Sequence, residues 1–189
     1  MILKGRKKIV SEFTSADLES NITNLIQFVN TTMPIHQSNS NEIDYLIRYY
    51  RGVQPVLDKT KSVREEINNK VVINNAQMIT RNIIGYFLGT PIQYIQSGAY
   101  KKTQIDELNK YVSYEDKSST DKEIGEYQSI CGTAYRIIYT DGVFADETPF
   151  EDRALNPSTT YVVYENNISE KPCAGITYFT LLSIVNSPV

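Results

Sequence analysis

The segment 74–91 constrains the fold of this chain more than any other. Asn74 or Asn75 stands ready as a helix cap, Gly89 closes the helix, and Pro91 follows as a stop signal. Between them Ile79, Ile83 and Phe87 recur every fourth residue, with Ile84 and Leu88 widening the stripe. A stripe so wide predicts a helix over 75–88 that is buried on more than one side and central to the core. Each such side chain contributes about 1.5–3 kcal/mol when fully buried, so Ile83→Asp is expected to be badly tolerated.

Upstream, Thr14-Ser15-Ala16-Asp17 reads as an N-cap with an acid three residues on, opening an amphipathic helix through Leu18, Ile22, Leu25, Ile26 and Val29. That helix is expected to end before Pro34, leaving the polar run 36–41 as a loop. A second helix follows over 41–51, with Gly52 in the left-handed position behind it and Pro55 preventing its continuation. An extended connection then leads to a short strand at 70–73, and the alternating stretch 91–96 reads as another.

Two polar helices, over 102–114 and 119–130, carry few apolar residues and are expected on the outside. Gly132 ends the second, and the hydrophobic period switches from the helical value to two. Strands are predicted at 134–139, 161–164 and 174–179, with a hairpin turn at Asp141-Gly142 and a return strand beginning at Val143-Phe144. Helices first and strands afterwards give an α+β fold: N-terminal helices around a buried central helix, then a small, mainly antiparallel sheet. The expected organisation is a flexible basic tail over 1–13, one α+β body over 14–179, and a tail of different character over 180–189.

The pattern holds little chemistry. With 19 Lys and Arg against 22 Asp and Glu, the net charge of -3 gives no general electrostatic hold on nucleic acid. The one basic cluster, Lys4, Arg6, Lys7 and Lys8, reads as a solvated tail rather than a phosphate contact. Cys131 and Cys173 lack metal-ligand spacing, and both are expected to be reduced. No stretch approaches the roughly 20 apolar residues of a membrane helix.

A single histidine, His36, would have to serve any nucleophile-base pair, and it reads as a solvated loop residue. Asp141, Asp146, Glu147, Glu151 and Asp152 crowd one stretch, but without the ligand spacing of a calcium loop they read as a solvated turn. A metal-dependent nuclease built on that stretch is the alternative reading. The 14 tyrosines, among them Tyr49, Tyr50, Tyr135, Tyr139, Tyr161, Tyr164 and Tyr178, are interleaved with few cations. They therefore suit sheet faces and subunit contacts better than base stacking. Neither catalytic, metal nor cofactor residues are expected, and DNA-contacting residues cannot be singled out.

Several short runs follow one another in a definite order: Tyr49-Tyr50-Arg51-Gly52, Asn68-Asn69-Lys70-Val71-Val72-Ile73-Asn74-Asn75 and Ile84-Gly85-Tyr86-Phe87-Leu88-Gly89-Thr90-Pro91-Ile92-Gln93-Tyr94. Further on come Cys131-Gly132-Thr133-Ala134-Tyr135, Tyr139-Thr140-Asp141-Gly142, Val163-Tyr164-Glu165 and Glu170-Lys171-Pro172. Together they resemble the wing region of portal proteins of long-tailed phages. The resemblance implies a structural, non-enzymatic subunit of a closed ring of twelve copies at one capsid vertex, with double-stranded DNA passing through non-specifically. It also implies capsid and scaffold proteins, a terminase and a head-tail adaptor as partners, no membrane, and residence in the host cytoplasm before the virion. Chains of that family are usually much longer, with stem, clip and crown beyond the wing. A truncated portal subunit is therefore expected, the alternative being a stand-alone module or prophage remnant that joins a full-length portal.

Overall fold

The computed structural model of the chain describes residues 5–64, 66–98, 102–140 and 150–179, with Lys102 described by its backbone alone. The secondary structure is α+β in the expected order, helices giving way to small sheets after Gly132. Contacts divide the chain into two compact units: one from residues 1–40 and 158–189, the other from residues 41–157.

The first unit begins with strand β1 (Val10–Ser11), which pairs in parallel with β4 (Thr160–Glu165). Strand β5 (Pro172–Thr177) lies antiparallel on the other side of β4, with a register shift between Val163 and Tyr164. Against this sheet lie α1 (Ser15–Ser20) and the first half of α2 (Ile22–Tyr50), and Ile9, Phe28, Tyr161 and Val163 form the buried core between them. The chain before Thr14, read as a mobile tail, instead buries Ile9 and puts Val10 and Ser11 on a sheet edge. An apolar side chain next to a free strand edge is what ties it down. Thr14 caps α1 as read: Asp17 N–H donates to the Thr14 hydroxyl, and the Asp17 carboxylate accepts from Thr14 N–H at 2.8 Å.

The largest departure is α2. Where a helix from Thr14, a loop at 36–41 and a second helix were expected, the chain breaks at Asn21 and one helix then runs on to Tyr50, with Pro34 inside it. Beyond Phe28 the buried face of this helix turns polar: Phe28, Thr32, His36 and Ser40 follow one another at four-residue spacing, the first three fully buried and Ser40 partly so. A stripe of Thr, His and Ser is invisible to a reading that looks for apolar periodicity. Pro34 lies on the exposed side of the helix. The helix tolerates the lost backbone bond, which costs about 3 kcal/mol, because the residues around it are hydrogen-bonded to the sheet.

The second unit holds the last turns of α2, then α3 (Asn75–Phe87), α4 (Lys102–Tyr114), α5 (Lys117–Cys131), β2 (Tyr135–Tyr139) and β3 (Glu151–Leu155). The caps are those read from the sequence: the Asn74 side chain accepts from Gln77 N–H, and Gly52 and Gly132 take left-handed backbone at φ 92° and 67°. Gly89 follows directly on the helix cap, as expected of the residue that closes it. A Cβ there would come within 2.3 Å of the Gly85 carbonyl oxygen, so the chain can turn back on the helix end only without one.

Neither short strand, 70–73 or 91–96, forms among the described residues. At 91–96 the reason is visible. The Asn109 side chain takes the place of a neighbouring strand, accepting from Tyr94 N–H at 3.1 Å and donating to the Tyr94 carbonyl at 2.9 Å. Strand β2 pairs antiparallel with β3, from Tyr135 opposite Leu155 to Tyr139 opposite Glu151. The predicted return at Val143-Phe144 and the turn at Asp141-Gly142 lie outside the described residues.

Candidate functional site

His36 is not a solvated loop residue. It is 2% exposed, projects from the middle of α2 and stacks on the Tyr161 ring with centroids 4.2 Å apart, while Tyr178 meets it edge-on at 5.7 Å. Its Nε2 lies 3.1 Å from the Ser158 carbonyl, which can only accept, so Nε2 is the donor there. The same carbonyl accepts from Ser40 Oγ at 2.7 Å and Tyr178 OH at 3.3 Å. Thr32 and Tyr161 hydroxyls meet at 3.2 Å one turn earlier. Burial holds the imidazole below its ordinary pKa, with the Ser158 bond opposing this in part. The hydroxyls of Thr32, Ser40, Tyr161 and Tyr178 are each spent on a carbonyl or on one another, and the arrangement reads as a satisfied polar core.

The acidic stretch also resolves differently. Asp141, Asp146 and Glu147 lie outside the described residues, whereas Glu151 and Asp152 belong to β3 and not to a solvated turn. Asp152 is 3% exposed, and the Arg136 Nε of β2 sits 3.1 Å from its Oδ1 without the alignment of a hydrogen bond. Arg136 also pairs with Asp121 of α5, which Lys117 holds from one turn earlier. Burial pushes the Asp121 carboxyl up, but the hydrogen bonds from Lys117 and Arg136 outweigh it and hold the group below the usual carboxylate range. Arg153 spans Glu151 at 3.1 Å and Glu115 at 3.7 Å. Every acid described here already faces a cation, so the cluster ties sheet to helix. Among the described residues no three His, Cys, Asp or Glu side chains gather as metal ligands do.

Sequence reading missed β3 because Glu151-Asp152-Arg153 looks like surface. The only signal was the lone Arg136 in an otherwise apolar strand, which needs an acid opposite it.

The tyrosines form no single platform. Tyr161, Tyr164 and Tyr178 serve the first unit, with Lys8 Nζ 4.7 Å from the Tyr164 ring centre. Tyr49 and Tyr50 line a cavity of about 250 Å³ in the second unit together with Leu46, Ile79, Ile83 and Ile130. Of the basic cluster, Lys7 has its backbone held by Asn39 and Lys8 pairs with Glu170, while Lys4 lies outside the described residues.

What the structure leaves open is an apolar surface. Helix α3 turns Thr80, Ile84 and Leu88 toward α5, where Gly125 makes room: a Cβ there would meet Leu88 Cδ1 at 2.7 Å. The helix is therefore packed on one side only, and the central burial expected for it does not occur. Tyr86 and Phe87 are 84% and 73% exposed, and Met78, Ile79 and Ile83 are also open. An isolated soluble chain has little reason to present such a stripe.

That surface, like all of the resembling runs, falls inside the stretch recognised by a family model described as "Phage portal protein, SPP1 Gp6-like", which matches residues 31–187. The chain belongs to the phage portal family. No curated protein matches it. As a portal chain it is a member of a structural family of the capsid and genome-packaging apparatus, one that works at the virion's capsid vertex and whose members act in assemblies. The match begins inside α2 and takes in the helices of the second unit and every strand except β1. No helix among the described residues of this portal chain is long and apolar enough to cross a membrane.

Proposed function

We propose that this chain is a structural subunit of the portal ring at the capsid vertex, the passage through which double-stranded DNA enters and leaves the head. The observation that carries the reading is the family match over residues 31–187. The physical character of the chain supports it. A conduit must not hold its cargo, because each phosphate neutralised by Lys or Arg releases counterions and strengthens binding, and a net charge of -3 avoids that grip. The ion pairs that tie β2 and β3 to α5 suit a mechanical part of an assembly. Closed rotational symmetry requires two different complementary surfaces per subunit, joined head to tail.

On this reading the partners are further portal subunits, twelve to a ring as the family resemblance implies. Capsid and scaffold proteins lie around the ring, and the terminase and head-tail adaptor contact its ends. Assembly takes place in the host cytoplasm before the subunit becomes part of the virion. The test is direct imaging. The purified chain, alone and co-expressed with a longer portal protein, is examined by native mass spectrometry and negative-stain electron microscopy. Rings with an axial hole, or incorporation into the longer chain's rings, are expected. A chain that stays monomeric and enters no ring would overturn the proposal.

A further inference from the structure

We infer that the outward face of α3 is one of the two surfaces through which this chain docks on a second copy of itself, an inference that rests on the ring reading above. Five side chains make the face: Met78, Ile79, Ile83, Tyr86 and Phe87 are 56%, 54%, 42%, 84% and 73% exposed. They cover one half of the helix circumference, while Thr80 and Ile84 occupy the half turned to α5. The two aromatic side chains present most of the 150–250 Å² each can bury, and the whole stripe offers on the order of 400 Å² of apolar surface. A standard interface buries roughly 800 Å² per partner, a little over half of it apolar, so this one face meets the apolar share of a stable contact.

Charge selects the kind of partner. Arg81 is the one charged residue in the 13 residues of α3, and it is engaged beside Tyr50, whose hydroxyl lies between it and Glu126 of α5. By contrast α4 and α5 are studded with Asp, Glu and Lys along their exposed sides. A face stripped of charge and carrying two adjacent aromatic rings, 5.2 Å apart and edge to face, has the composition of an interface core. It offers no cation to a phosphate backbone or an anionic lipid surface. Beside it, the cavity lined by Leu46, Tyr49, Tyr50, Ile79, Ile83 and Ile130 has the volume to receive an apolar side chain from the neighbour. Because ring closure joins unlike surfaces, the partner meets this face with a different part of its own surface.

The chain contains no tryptophan, so Phe87→Trp installs a single reporter on the face with little change of size. Its emission is expected to shift to the blue as protein concentration rises through the range in which sedimentation shows assembly. Tyr86→Ser with Phe87→Ser removes two exposed aromatic anchors and is expected to weaken self-association by about 100-fold or more. Ile168→Ser, at an equally exposed apolar position of the other unit, is expected to leave it unchanged. Assembly with a solvent-like emission from Phe87→Trp, or equal loss from Ile168→Ser, overturns this assignment while the ring reading stands. A wild-type chain that never self-associates overturns both. A blue shift produced by added double-stranded DNA without assembly would give the face to nucleic acid and refute the inference.

Discussion

Removing the Arg136 guanidinium while keeping its length, as in Arg136→Met, tests the account of the second unit most severely. The group is about one-third exposed, and it faces two carboxylates that are not: Asp121 and Asp152 have side chains 13% and 4% exposed. Loss of one partner of a fully buried ion pair costs about 3–5 kcal/mol, because the remaining charge is left without compensation. Water reaching the outer side of Arg136, and Lys117 still holding Asp121, argue for the lower end, about 2–3 kcal/mol. With a urea dependence of about 2 kcal/mol per molar, the unfolding midpoint should fall by about 1–1.5 M.

The companion Asp152→Asn neutralises the buried acid. Added to Arg136→Met, it should recover at least half of the loss, because no charge is then stranded. Acid titration supplies a second readout. Asp121 has a depressed pKa when folded, so its contribution is present above the unfolded carboxylate pKa and is lost as pH falls through the folded value. In Arg136→Met one of its two cations is gone, and stability should decline less between neutral pH and strongly acid conditions. Midpoints within about 0.3 M of each other by urea unfolding, with an unchanged acid limb, would refute the claim that this network ties β2 and β3 to α5.

Two further outcomes follow from α2. His36 has its pKa lowered by burial, so its contribution is intact above about 6.5 and is lost as pH falls below that value through the folded pKa. Thermal melts from pH 7.5 to 5 should show this decline in the wild type and not in His36→Gln, which should also melt lower at every pH; parallel pH profiles would count against the buried ring. Pro34→Ala restores a helical N–H at an exposed position and should raise stability by about 1–3 kcal/mol in chemical denaturation. A decrease would mean that the proline shapes a bend on which the packing against β4 depends.

The chain's local grammar was legible in its residues. The Thr14 capping box, the Asn74 cap, the left-handed Gly52 and Gly132, the whole of α4 and the strands β2, β4 and β5 follow from interactions within a few residues, which any fold would have to respect. The portal family was legible too, since the order of its short runs does not depend on where they pack. Burial was not. Helix α2 passes through Pro34 and a polar run because the partners of Thr32, His36 and Ser40 lie about 120 residues away, at Ser158 and Tyr161. Strand β3 pairs Ala154 with Arg136 and Asp152 with Ile138, and Arg136 reaches diagonally to the buried Asp152. The stripe on α3 was read as core from its apolarity alone, but apolarity records only that a surface avoids water. Whether that surface is covered from within the chain or left for another molecule is decided by which elements reach it, and α5 covers only one side.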